Sequence, residues 1–93
     1  MADLDEDLAA AADDELDRAL SLGWAELRKI TPWGDTFDGF TPSGRDVSFE
    51  RAYLWEDGAD GDIRVEVTVY EPKAYERGVR RTRRMPRGPG GKT

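Results

Sequence analysis

Apolar residues return every three or four positions through the first part of the chain: Leu4, Leu8, Ala12, Leu16, Leu20, Trp24 and Leu27. That spacing lines one face of an α-helix, and the alanine run from Ala9 to Ala12 favours the same conformation. Asp3 or Asp5 is suited to cap its start, where early acids meet the positive end of the helix dipole. Gly23 is the natural stop or weak point. Residues 24–30 fit a helix by the spacing of Trp24, Leu27 and Ile30, while the β-branched pair Ile30-Thr31 fits a strand; helix through about Lys29 is the reading adopted.

The period then changes from helical to alternating. Ile63, Val65, Val67 and Val69 alternate without exception with Asp62, Arg64, Glu66 and Thr68, and Val47 and Phe49 followed by Tyr53 and Trp55 form a second such series. The turn formers between them, from Asp57 to Gly61, close an antiparallel hairpin over about 46–56 and 62–71. Arg51 disturbs the pattern, because strict alternation places it on the apolar face and puts Ala52 and Leu54 outside. The expectation is a β-bulge near residues 50–52, or a second apolar patch around Ala52 and Leu54. Upstream, Thr31-Pro32-Trp33-Gly34 and Thr41-Pro42-Ser43-Gly44 both read as turns, and residues 35–41 between them as a short edge strand.

After Glu71-Pro72 the apolar pattern dissolves, and residues 80–93, rich in arginine, glycine and proline, read as a mobile basic arm. The predicted fold class is α+β: an acidic amphipathic helix packed on a small antiparallel sheet, one domain over 1–79 and a flexible tail over 80–93. The core is expected from the hairpin strands and the helix face Leu8, Leu16, Leu20, Trp24 and Leu27.

Charge sharpens this picture. Residues 1–26 carry nine acids against Arg18, a net of −8; residues 27–72 net −5; residues 73–93 net +7. The overall −6 therefore hides a chain that is acidic at its front and basic at its back. With 38% hydrophobic and 37% charged residues in 93, burial has to be concentrated in one core. A chain of this size buries only about 60% of its unfolded surface, which favours a module that gains contacts from a partner.

The chain has no cysteine and no histidine, which removes thiolate nucleophiles, thiolate metal sites and the commonest general base. Acids are spread along the whole chain, so no pair stands out for acid–base catalysis, and no enzyme, cofactor, metal or small-molecule substrate is expected. The ending Gly88-Pro89-Gly90-Gly91-Lys92-Thr93 resembles the close of a phosphate-binding loop, but Pro86 stands where the first glycine belongs. Asp57, Asp60 and Asp62 resemble a calcium loop, but with Gly61 as the invariant glycine Val67 falls where a bidentate glutamate is required. The acidic start lacks the character of a signal peptide and no apolar run reaches membrane-spanning length, so an intracellular setting without a membrane partner is expected.

Binding residues are the remaining candidates. Trp33, Phe37 and Phe40, bracketed by turns, are the aromatics expected at the surface, whereas Phe49, Tyr53 and Trp55 belong with the core. Arg77, Arg80, Arg81, Arg83, Arg84 and Arg87 give the arm its charge, and exposed ion pairs contribute too little to hold it against its own helix, so it is expected to stay free for a partner. The acidic alanine-rich helix, hairpin and basic arm together resemble in composition the small accessory and head-to-tail joining proteins of tailed phages. That resemblance implies a cytoplasmic or virion-associated assembly protein and carries no site residues. The leading expectation is thus a non-enzymatic protein-binding or assembly module that binds another protein or further copies of itself. The alternatives are an acidic mimic of nucleic acid that inhibits a nucleic-acid-binding protein, such as one of host defence, and a nucleic-acid-binding accessory protein working through the arginine arm.

Overall fold

In the computed structural model, residues 4–87 are described, apart from the side chains of residues 75–77. Helix α1 spans Leu4–Leu20, α2 Gly23–Arg28, and four strands follow: β1 Trp33–Phe40, β2 Asp46–Trp55, β3 Ile63–Glu71 and β4 Ala74–Met85. The strands form one antiparallel meander in the order β1-β2-β3-β4, with α1 laid across β3 and β4 on one face. The architecture is α+β, as the two periodicities require. Among the described residues no helix is long and apolar enough to cross a membrane.

The break between the helices follows from Gly23, whose φ of 80° lies in the left-handed region that side-chain-bearing residues avoid. The end of α1 is closed by Ser21 N–H to Asp17 O and Leu22 N–H to Ala19 O, and α2 continues to Arg28. Trp24 Nε1 donates to Gly61 O at 2.8 Å and Arg28 pairs with Asp60 at 2.6 Å, so α2 holds the β2–β3 loop. Two carboxylates of that loop are directed at separate cations: Asp60 at Arg28, Asp62 at Arg84.

The core consists of Leu8, Ala11, Ala12, Leu16 and Ala19 of α1, Trp24 and Leu27 of α2, and the inward residues of β2 and β3. Ile63, Val65, Val67 and Val69 are fully buried, as their alternation predicts; Leu20 and Trp55 are only partly buried at its rim. Burying each of these aliphatic side chains contributes roughly 1.5–3 kcal/mol, which makes β3 the energetic centre of the sheet.

Three expectations are corrected. First, β1 begins at Trp33 and is a full eight-residue partner of β2, so Trp33-Gly34 is strand rather than turn. Second, the bulge alternative at residues 50–52 fails: the register runs unbroken through Thr36↔Glu50, Asp35↔Arg51 and Gly34↔Ala52, leaving Arg51 on the inner face and Ala52 and Leu54 half-buried together on the outer one, as in the other alternative. Third, residues 80–85 are not a free arm but the second half of β4, paired to β3 from Thr68↔Arg80 to Ile63↔Met85. The physical reason is that β3 presents unpaired backbone groups on its far side, and a strand satisfies them whatever its side chains are. The glycine-rich ending, residues 88–93, lies outside the described residues.

Candidate protein-binding edge

The meander places the two groups of candidate residues at opposite edges of the sheet: Trp33, Phe37 and Phe40 on β1, the arginines from Arg77 to Arg84 on β4, with Arg87 just past its end. The two edges are built differently because α1 packs mainly on β3 and β4 and reaches the other half through the polar contacts of Glu15 and Asp7.

On β1, residues 33, 35, 37 and 39 share the helix-facing side, opposite Tyr53, Arg51, Phe49 and Val47. Gly39 is required there, since a Cβ at that position would stand 2.9 Å from the Phe49 ring. The space it leaves lets Phe49 stack on Phe37, with ring centroids 4.9 Å apart, while Trp33 stacks on Tyr53 at 5.6 Å. Between the two stacks lies the Arg51 guanidinium, 4.7 Å from the Phe37 centroid and 5.6 Å from that of Trp33. The result is a continuous aromatic and cationic row. Trp33, at its outer end, is 45% exposed, whereas Phe37, expected at the surface, is half-buried against the core. Phe40, at the strand's end, is 67% exposed but alternates onto the opposite face.

Arg51 is held by two carboxylates. Its Nε donates to Asp35 Oδ1 at 2.8 Å and a terminal nitrogen bonds Asp35 Oδ2, a bidentate pair, while Nη1 donates to Glu15 Oε2 at 3.1 Å. Glu15 is almost wholly buried on α1 and also accepts from Arg18 at 2.7 Å. Hydrogen bonding to Asp35 raises Arg51 above its ordinary value, and the same bonds hold the Asp35 carboxyl below the usual range, both against the opposing effect of burial. Burial pushes the Tyr53 phenol up.

A second polar cluster anchors the turn between β1 and β2. Asp7 of α1, buried, accepts from Ser43 Oγ at 2.6 Å, Thr41 Oγ1 at 2.7 Å and Arg45 Nε at 3.3 Å, and Arg45 reaches on to Glu71 at 3.5 Å. The two hydroxyls, Ser43 foremost, keep Asp7 below the ordinary carboxylate range, with Arg45 adding to the effect. In the sequence Asp7 and Glu15 are two of the nine acids of residues 1–26. Their signal is positional: each immediately precedes a core leucine, Leu8 or Leu16, and so shares the buried side of α1.

The arginine candidates are engaged within the chain. Arg81 pairs with Asp13 at 3.7 Å and Arg83 with Asp17 at 3.4 Å, both reaching α1. On the uncovered face, Arg80 Nε donates to Thr68 Oγ1 at 3.0 Å and Arg84 lies 3.8 Å from Asp62. Arg87 donates its backbone N–H to Asp62 and sets its guanidinium 5.8 Å from the Trp24 ring. The Arg77 side chain lies outside the described ones. The ion pairs of Arg81, Arg83 and Arg84 are long and solvent-exposed, which leaves most of their guanidinium donors accessible.

A shallow depression of about 280 Å³ on the uncovered face is floored by Gly34 and Ala52 and rimmed by Thr36, Glu50, Glu66 and Arg80, so that it collects charges of both signs. Among the described residues no cluster of three or more Asp and Glu is arranged to hold a metal ion. No protein-family model, no curated protein and no solved structure matches this chain.

Proposed function

We propose that the chain is a non-catalytic protein-binding module whose contact element is the β1 edge with its exposed aromatic side. The observation that carries this reading is the position of Trp33 and Phe40: large exposed aromatic side chains at the two ends of a strand that, among the described residues, forms the sheet edge beyond the strands α1 packs on. An extended segment laid along β1 gains main-chain hydrogen bonds from the edge and side-chain contacts from Trp33 and Phe37. The rigid setting of the aromatics, stacked on Tyr53 and Phe49, lowers the ordering cost of binding.

The other two readings have less support. As a nucleic-acid mimic α1 needs an open row of carboxylates, but Asp7 and Glu15 are buried, and Asp13 and Asp17 face Arg81 and Arg83. As a nucleic-acid binder β4 needs an uninterrupted basic surface, and its arginines are interleaved with Asp62 and the acids of α1.

The test is selection of short extended peptides from a displayed library, followed by titration into the isotope-labelled chain. Amide shifts confined to Trp33–Phe40 and the Trp33 indole are expected, with Trp33→Ala weakening binding by about tenfold. Selected peptides that shift the β4 amides, or no selected peptide at all, count against the proposal.

A further inference from the structure

From the complementarity of the two sheet edges, we infer that the partner of β1 is β4 of a second copy of this chain, added edge to edge so that the sheet continues through successive copies. This rests on the reading of β1 as a binding edge.

The two edges are opposite in charge. β1 carries Asp35 and Asp38 and no base, while β4 carries Arg80, Arg81, Arg83 and Arg84 within its second half. Pairing β1 with β1, or β4 with β4, sets like charges opposite one another; only β1 with β4 sets acid against base. Arginine along an edge discourages indiscriminate pairing, and that protection becomes attraction for an acidic strand.

The topology permits the contact without rearrangement. An antiparallel meander of four strands ends on a strand running opposite to its first, so β1 of the next copy, held in the same orientation, lies antiparallel to β4. Helix-facing residues then meet helix-facing residues, since β1 places its odd-numbered residues on that face and β4 does the same with Val79, Arg81, Arg83 and Met85, the partners of Val69, Val67, Val65 and Ile63.

One register satisfies both faces. With Asp35 opposite Arg83, Trp33 falls opposite Met85, Phe37 opposite Arg81 and Gly39 opposite Val79. On the other face Asp38 falls opposite Arg80 and Thr36 opposite Thr82. Apolar side chains thus meet an aromatic or a glycine, both aspartates meet arginine, and Arg81 comes over the face of Phe37 as Arg51 already does. All eight residues of β1 find partners, and the exposed flank of Trp33 is covered. The contact is heterologous and does not close on two copies; with each strand twisted relative to the last, it propagates as a helical filament or a ring.

Sedimentation of the full chain at low salt tests this. The wild-type mass is expected to rise with concentration and association to weaken by about tenfold or more toward molar salt, as the Debye length shrinks. Asp38→Arg blocks the β1 edge alone and Arg83→Asp the β4 edge alone, so each variant is expected to remain a monomer. Their equimolar mixture is expected to form a two-chain complex and nothing larger, because one intact edge of each remains and the two blocked edges repel. If Arg83→Asp impairs folding, register is read instead from Thr36→Cys and Thr82→Cys chains, both exposed and in a protein otherwise free of cysteine. Mixed together and oxidised, these are expected to give the hetero-disulfide over either homo-disulfide.

A wild-type chain that stays monomeric at millimolar concentration while peptides still bind β1 overturns the self-pairing alone. A chain that neither associates nor binds peptides overturns both readings. Association that persists in both edge variants, or homo-disulfides as the main product, places the contact elsewhere and overturns the inference.

Discussion

Along β3 the helix-facing residues are Ile63, Val65, Val67 and Val69, all fully buried beneath α1; along β1 the same face shows Trp33, Asp35, Phe37 and Gly39, none of them fully covered. One sheet therefore has a dry aliphatic half and a half built from stacked rings and ion pairs. The aliphatic half derives its stability from removing apolar area from water, which needs no particular geometry. The other half depends on the position of Arg51, whose charge is tolerated next to the core because Glu15 and Asp35 both bond it and two rings flank it. The first half is held by burial that any close packing of aliphatic side chains supplies, the second by contacts that each need a particular partner.

Substitutions can break that contrast in graded steps. Val67→Asp places an unpaired carboxylate in the middle of the dry half and is expected to abolish cooperative melting, a loss of more than about 4 kcal/mol. Removing residues 80–93 strips β3 of its partner from Thr68 to Ile63 and is expected to leave a chain that melts far lower or aggregates, as read by circular dichroism and light scattering. If the truncated chain melts like the full one, β4 contributes nothing to the domain and its arginines are free after all.

In the polar half, Arg51→Met leaves Glu15 and Asp35 without their shared cation and is expected to cost about 2–3 kcal/mol, below the range for a fully buried pair because Arg51 is 24% exposed. Combining it with Glu15→Gln is expected to cost less than the two single changes summed, which a double-mutant cycle in urea measures. Strict additivity would mean that the bond at 3.1 Å carries no coupling.

Acid sharpens the same distinction. Asp7 and Asp35 both have folded-state values held below their unfolded ones by the groups that bond them. Their contribution is present in full above the ordinary carboxylate value of about 3.9 and disappears as pH falls through the lowered folded values. Denaturation midpoints are expected to be flat near neutral pH and to decline below about pH 4, with Asp7→Asn shallower in that limb than the parent.

The smallest effect is expected at the surface itself. Trp33→Ala removes a ring that is 45% exposed and stacked on Tyr53, and is expected to lower stability by only about 1 kcal/mol while weakening partner binding about tenfold. A stability loss as large as that of Arg51→Met would make Trp33 a core residue and remove it from the binding surface.

Local patterning determined the elements that depend on one periodicity. The three-to-four spacing from Leu4 to Leu27, the break at Gly23 and the alternation from Ile63 to Val69 are each properties of a segment, and each appears in the structure where its residues predict it. Phe40 was legible as a surface aromatic because turn formers follow it, whereas Trp33 is exposed although the turn read at residues 31–34 is already strand from Trp33 on. Only the tertiary structure decided the fate of residues whose local pattern was ambiguous. Arg51 stays on the inner face because Glu15 and Asp35, 36 and 16 residues away in the chain, supply its partners, and no window around Arg51 contains that information. Residues 80–85 carry too little apolar character to order themselves, yet they form a strand because β3 has a backbone edge to be satisfied and α1 holds Asp13 and Asp17 within reach of Arg81 and Arg83. In both cases the stabilising group lies on another element, so folding had to bring it close before the residue's role existed.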